Sequence, residues 1–300
     1  MGRSEAATTM SGSEWFLARG RTIHCGERPL IMGIVNVTPD SFYDGGRYRE
    51  PAEAVAHGLR LIEEGADLLD IGAESTRPGS HPVPEQDETH RLIPVVADLA
   101  RRVTVPISVD TRKAAVARRA LDAGASIIND VSALQFDPDM ASAIARSGAA
   151  VVLMHMQGTP ETMQHQPSYR DAVAEISEFF DERIAAAVEA GIEKSQIILD
   201  PGIGFGKLLM HNLDILNRLS SFAMLQRPLL VGLSRKGFLG QLVNRAVEDR
   251  QWGTAAVVAL AVDRGAQILR VHDVAMMKDV VTVASALGGR RAPTGQEHHA

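Results

Sequence analysis

Eight short runs of aliphatic and β-branched residues, each followed by a stretch of helical periodicity, predict an α/β protein folded as a (β/α)8 TIM barrel. Two further observations support that class: the alternation continues without a break from residue 29 to residue 288, and a polar residue closes every apolar run. An open, doubly wound sheet is the competing architecture, but it usually has fewer repeats and does not need polar residues at all its strand ends. Ahead of the first repeat, EWFLARGRTIHCGERP reads as a short N-terminal hairpin closing the barrel floor. The strands then follow as PLIMGIVN (29–36), DLLDIGAE (67–74), VPISVD (105–110), SIINDV (126–131), AVVLMHM (150–156), IILDPG (197–202), PLLVGLS (228–234) and QILRVHD (267–273). Each is short, rich in Ile, Val and Leu, and bounded by turn residues, as a strand buried on both faces should be. Between them EAVAHGLRLIEEGA, DETHRLIPVVADLARR, KAAVARRALDAGA, MASAIARSGA, YRDAVAEISEFFDERIAAAVEAGI, LDILNRLSSF, GTAAVVALAVDRGA and MMKDVVTVASALG carry helical spacing. Several end in glycine just before the next strand, a helix stop signal. Residues 1–13 are expected to be a disordered N-terminus, 14–288 a single barrel domain, and 289–300 a flexible tail.

Composition narrows the function. A net charge of -6 argues against broad nucleic-acid binding, while leaving room for an anionic small substrate held by local cations. The hydrophobic content of 45% suits a globular protein, and no uncharged apolar run is long enough to span a membrane. The first twenty residues lack the apolar core of a signal peptide, and the single cysteine, Cys25, excludes an internal disulfide framework. These features together lead us to expect a cytoplasmic protein with small-molecule partners and no nucleic-acid or membrane partner.

The residues that close the strands carry the functional signal. In order they are Asn36, Glu74 with Thr76 and Arg77, Asp110, Asn129, His155, Asp200, Ser234-Arg235-Lys236, and Arg270 with His272. One Asp or Asn after a strand is commonly a helix cap or a turn residue. Polar residues from all eight units instead define a pocket at the C-terminal mouth of the barrel, where barrel active sites form. Asp110 and Asp200 each end an apolar run and Asn129 lies between hydrophobic residues, so they are expected deep in the mouth, facing the edge of a flat pterin- or purine-like heterocycle. Lys236 reaches in as a further donor. Arg270, His272 and Asn36 form a separate donor group suited to phosphate, with a helix N-terminus behind it. Asn36 is also a candidate Mg2+ ligand on a diphosphate, since Mg2+ takes few protein oxygens. No H-x-H, H-E-x-x-H or facial-triad spacing marks a transition-metal centre. The loops 36–51, with Phe42 and Asp44 near its tip, and 74–86, rich in Pro and Gly, resemble lids that exclude water. Met154 reads as a platform or core residue beside the pocket.

DPGIGFGK (200–207) ends in the Gly-Lys pair of a phosphate loop, but it matches neither G-x-x-x-x-G-K-[ST] nor G-x-G-x-x-G. Its glycines are expected to turn the chain tightly beside a flat ligand, and Lys207 to face solvent or start a helix.

Five motifs in order, NVTPDSF with DGG (36–46), GAESTRPG (72–79), DPGIGFGK (200–207), GLSRKGFLG (232–240) and RVHDV (270–274), resemble the signatures of the dihydropteroate synthase family over about residues 29–288. The resemblance implies condensation of (7,8-dihydropterin-6-yl)methyl diphosphate with 4-aminobenzoate by a largely dissociative substitution, with Mg2+ as cofactor and a homodimer as the assembly. It implies a pterin site on Asp110, Asn129, Met154, Asp200, Phe205, Gly232 and Lys236. It implies a 4-aminobenzoate site on Phe42, Thr76, Arg77, Pro78, Phe205 and Gly237, and a diphosphate site on Asn36, Arg270 and His272, with Asn36 at the metal. Asp44, Asp110, Lys236, Arg270 and His272 are the implied catalytic set. Tyr43, Leu208 and Gly237 depart from the family pattern without removing any of these groups. Corrinoid-linked pterin methyltransferases share the barrel and the pterin pocket, and a non-catalytic pterin-binding barrel is a further alternative. Neither would require a diphosphate.

Overall fold

The computed structural model describes residues 13–16, 22–25, 28–37, 50–76 and 79–288. β1 (Ser13–Phe16) and β2 (Thr22–Cys25) pair antiparallel as the expected hairpin. Eight parallel strands follow: β3 (Leu30–Asn36), β4 (Leu68–Gly72), β5 (Ile107–Asp110), β6 (Ile127–Asp130), β7 (Ala150–Met154), β8 (Ile197–Asp200), β9 (Leu230–Gly232) and β10 (Ile268–Val271). Strands β3 to β8 pair in sequence order, and β10 lies between β3 and β9. The remaining gap, between β8 and β9, is closed by a parallel bridge from Leu199 to Leu229, with the Leu199 N–H donating to Pro228 O at 2.9 Å. The repeats therefore close into the (β/α)8 barrel.

Helices α1 (Glu50–Glu63), α2 (Glu85–Arg102), α3 (Ala114–Ala123), α4 (Met140–Ser147), α5 (Ala172–Glu189), α6 (Leu209–Asn217), α7 (Gly237–Val243), α8 (Gln251–Asp263) and α9 (Val274–Leu287) surround it. Two differ from expectation. α7 is an extra helix whose seven residues, GFLGQLV, are too few to show a period. α6 begins at Leu209, ahead of its apolar pattern, because His211 Nδ1 accepts the Leu208 N–H at 3.2 Å. It ends at Asn217, and a 3-10 turn covers Leu219–Leu225. None of the described helices is long and apolar enough to cross a membrane.

The two-residue repeat of a strand explains both the core and the site. Ile31, Val35, Leu69, Ile71, Ile107, Val109, Ile128, Val151, Leu153, Ile197, Leu199, Val231, Leu233, Leu269 and Val271 face outward and pack with the helices. The alternate positions face inward. Their lower layer, with Met32, Leu68, Ile127, Val152, Ile198, Leu230 and Ile268, is apolar and packs on Ile23 and Cys25 of the hairpin, which plugs the floor as expected. Two residues further along the same strands stand Ile34, Asp70, Asn129, Met154, Asp200, Gly232 and Arg270. One step along each strand thus changes a greasy plug into a polar mouth.

Candidate active site

At the floor of the mouth Asp70 is fully buried. Its Oδ2 accepts from Arg270 Nε at 2.6 Å and from Asn129 Nδ2 at 3.2 Å, and Arg270 Nη2 donates to Asp110 Oδ2 at 3.3 Å. One guanidinium thus faces two carboxylates. Burial, and then the Asp70 charge, push the Asp110 carboxyl well above the ordinary carboxylate range, against the opposing pull of Arg270. The direction favours the protonated form of Asp110, in which a carboxyl can donate a hydrogen bond. Asp70 Oδ1 and Asn129 Oδ1 are buried and make no hydrogen bond among the described residues.

The rim comes from neighbouring strand ends. Asp110 lies beside Asn129 in the β5–β6 register and Met154 beside Asp200 in the β7–β8 register. Asp200 Oδ1 accepts the Gly202 N–H at 2.8 Å. Burial raises the Asp200 carboxyl, while that bond and the charges of Lys236, Lys207 and Arg270 oppose the rise. Lys236 precedes α7 and holds its ammonium 4.1 Å from the centre of the Phe205 ring, a cation–π contact. Burial lowers its pKa to about 8, with Asp200 acting in the other direction. A Cβ on Gly232 would stand 4.0 Å from Lys236 Cε, so the lysine stem runs along space left by that glycine. Asp110, Asn129, Asp200 and Lys236 therefore gather donors and acceptors at adjoining strand ends, with Met154 beside Asp200 and Phe205 against Lys236.

The DPGIGFGK loop makes the tight turn expected of it, but Lys207 does not face solvent. It is only 3% exposed and lies within hydrogen-bond distance of His155 Nδ1, His155 O and Phe205 O. Gly204 N–H donates to Asn212 Oδ1, Gln164 Nε2 donates to Gly204 O, and Tyr169 Oη donates to Gly206 O. Nothing in the local sequence shows this burial, because the covering groups come from the β7–α5 loop and α6.

At the anion end, Asn36 and His272 line a cavity of about 490 Å³ together with Ile34 and the α1 residues Glu53, Ala56, His57 and Arg60. His272 Nδ1 is 2.9 Å from Ser234 Oγ, and α9 starts at Val274 just behind it. Arg270 is not among the described residues that line this cavity; its Nε and Nη2 bond the carboxylates at the floor. Arg235 of the SRK motif forms an ion pair with Asp273, at 2.7 Å and 3.2 Å. It ties the loop bearing Lys236 to the loop bearing His272.

Glu74 is engaged in a charge network of its own. It pairs with Arg112 at 3.0 Å and with Lys113, which bonds Glu88 as well, and it accepts the Val83 N–H at 3.1 Å. It anchors the loop that follows β4. Thr76 is half-buried at the start of that loop, and Gly237 opens α7. Phe42, Tyr43, Asp44, Arg77 and Pro78 lie outside the described residues, as do the N-terminal segment 1–12 and the tail 289–300.

Asp70 was the residue hardest to find from sequence. It sits inside the run LLDIG, where an apolar strand hides it, and the only signal is that it shares the inward step of Leu68 and Gly72.

Comparison with known proteins gives one answer. Residues 32–272 match the family model described as pterin binding enzyme. The chain is 47% identical over 258 residues to a dihydropteroate synthase of Escherichia coli (strain K12), covering 86% of this chain and 91% of that one. It superposes with a TM-score of 0.86 on a Xanthomonas albilineans dihydropteroate synthase solved with 4-aminobenzoic acid, at 48% identity over 92% of this chain and 98% of that one. A structure of the X. albilineans enzyme in complex with 7,8-dihydropteroate matches at TM-score 0.82 and 48% identity, covering 90% and 97% of the two chains. With five ordered motifs, a closed barrel and a buried donor and acceptor set at its mouth, the chain belongs to the dihydropteroate synthase family of pterin-binding enzymes.

Proposed function

We propose that the chain is a transferase of folate biosynthesis that condenses (7,8-dihydropterin-6-yl)methyl diphosphate with 4-aminobenzoate to give 7,8-dihydropteroate and diphosphate. The observation that carries this assignment is the buried Asp110, Asn129 and Asp200 with the half-buried Lys236, which matches the alternating donors and acceptors of a pterin edge. Relatives that bind 4-aminobenzoic acid and 7,8-dihydropteroate support both substrate classes. Met154, Phe205 and Gly232 are the ring-facing walls. Thr76, Phe205 and Gly237, with Phe42, Arg77 and Pro78, are the proposed 4-aminobenzoate contacts. Asn36, Arg270 and His272 are the proposed diphosphate contacts.

In the reaction the bond from the methylene carbon to the diphosphate oxygen breaks, and the diphosphate departs with the electron pair. The aniline nitrogen forms the new C–N bond and then releases its proton, so no strong general base and no covalent enzyme intermediate are required. Arg270 and His272 offset the charge that develops on the leaving group. The pterin stabilises the methylene cation, and a cation forming beside Asp110 makes that acid easier to ionise; Asp44 is assigned the same role. Orientation and exclusion of water are the protein's other contribution, because water would also capture the cation.

Asn36 offers one amide oxygen beside His272, and the described residues hold no group of three His, Cys, Asp or Glu side chains placed for a metal. That donor set fits Mg2+ arriving with the diphosphate, its other ligands being water and phosphate oxygens. Mg2+ held there would neutralise part of the diphosphate charge. Arg270→Ala tests the assignment: kcat should fall by at least ~100-fold, as for loss of one charge-stabilising donor. A kcat near the parent value would contradict the diphosphate site. The assembly proposed is a homodimer joined through the apolar faces of α7, α8 and α9.

A further inference from the structure

Lys207 takes part in no step described so far, yet it is among the most costly residues in the molecule to bury. Methionine or leucine would fill the same volume without desolvating a charge. The ammonium offers three N–H donors, and three acceptors surround it: His155 Nδ1 at 3.0 Å, His155 O at 3.3 Å and Phe205 O at 2.9 Å. These acceptors belong to two separate loops. His155 follows Met154 at the end of β7, and its N–H donates to Asp200 O at 2.9 Å. Phe205 lies in the loop after β8, with its ring against the Lys236 ammonium. One side chain thus joins the immediate neighbours of Met154 and Asp200 to the aromatic wall below Lys236.

We propose that Lys207 is a positioning residue of the reaction, which sets Phe205 and the ends of β7 and β8 in the places where the two substrates are held. The proposal rests on the reaction assigned above. Burial and the Lys207 charge push His155 down to about 2, so the ring stays neutral with Nδ1 as an acceptor and the proton on Nε2. Burial pushes Lys207 down to about 7, with Asp200 raising it and Lys236 lowering it further, and the charges that act on Asp200 are those of Lys236, Lys207 and Arg270. On the acid side of that value Lys207 is an ammonium and supplies one of the three positive charges that favour ionised Asp200.

Lys207→Met is the direct test, read by steady-state kinetics over a pH series beside thermal unfolding. The KM values for the pterin diphosphate and for 4-aminobenzoate should each rise about tenfold with a smaller change in kcat, as for lost positioning of the bound substrates. The acid limb of kcat/KM should move to higher pH, because Asp200 loses a cation that lowers its proton affinity. A lysine with only a structural role would lower the Tm and leave both KM values and the acid limb unmoved, which would overturn the proposal. Should Lys207→Met fail to fold, His155→Asn and His155→Leu keep the lysine and decide the matter. Asn retains an acceptor and should stay near the parent KM, whereas Leu should raise it; equal effects from both overturn the proposal. A parent enzyme that forms no dihydropteroate would contradict the assigned reaction instead, whereas a working parent with unaffected variants removes only the role of Lys207.

Discussion

Arg270 lies between Asp70 and Asp110, and its single charge balances only one of them. Burial and the Asp70 charge raise the proton affinity of Asp110, the carboxyl that faces the proposed ligand. Asp70→Asn removes the nearby negative charge, so Asp110 should ionise at lower pH. If protonated Asp110 donates to the pterin, the alkaline limb of kcat/KM shifts downward with it, which a pH series will show. The linkage to stability has a definite sign. A carboxyl whose folded pKa is raised stabilises the fold fully below its ordinary value of 3.8, and this contribution is lost as pH rises through the raised value. That loss should be smaller in Asp70→Asn. Asp70→Ala goes further, leaving Arg270 without its 2.6 Å partner, and should destabilise the protein by ~3–5 kcal/mol in denaturant unfolding. Asp110, Asn129 and Asp200 were legible in the sequence because each interrupts an apolar run where a strand ends. Asp70 was not, since only pairing with Arg270, 200 positions along the chain, shows that a carboxylate inside LLDIG has a role.

The loop after β8 is the element on which both sides of the proposed site depend. Its glycines are required by geometry at two points. Gly202 has φ +66° and a Cβ there would lie 2.0 Å from His155 O; Gly206 has φ +58° and a Cβ would lie 2.4 Å from Gln157 O. Gly202→Ala should therefore destabilise by about 3 kcal/mol or more, the left-handed backbone alone accounting for ~1–3 kcal/mol. Gly237, where the family pattern usually has serine, is different: a Cβ there meets nothing within 4 Å and φ is not positive. Gly237→Ser should leave stability within about 0.5 kcal/mol of the parent in the same unfolding experiment. The tight turn could be read from glycine spacing alone. Burial of Lys207 could not, since a lysine after glycine carries no local mark of the loops that cover it. α7 escaped notice for a similar reason: a helix of seven residues with two glycines shows no stripe.

Across the whole molecule, the eightfold repeat of apolar run and helix was plain in the chain, and closure follows from it. The outer surface is less even. Trp252 is 74% exposed at the start of α8, and Leu242, Val243, Val247, Leu260, Val283 and Leu287 expose further apolar surface on α7, α9 and the segments between. Exposed large apolar side chains gathered on neighbouring helices are what a subunit interface would cover. Trp252→Glu combined with Leu260→Glu should convert a dimeric parent to monomers in sedimentation velocity, while a parent already monomeric would end the dimer proposal. The net charge of -6 conceals the feature most important for function, a mouth whose half-buried cations, Arg270 and Lys236, oppose the global sign. The most direct measurement supplies the purified protein with (7,8-dihydropterin-6-yl)methyl diphosphate, 4-aminobenzoate and Mg2+, and quantifies 7,8-dihydropteroate and diphosphate together. The account predicts equal amounts of the two products, with dihydropteroate absent when 4-aminobenzoate is omitted. Binding of the pterin with neither product formed would contradict it.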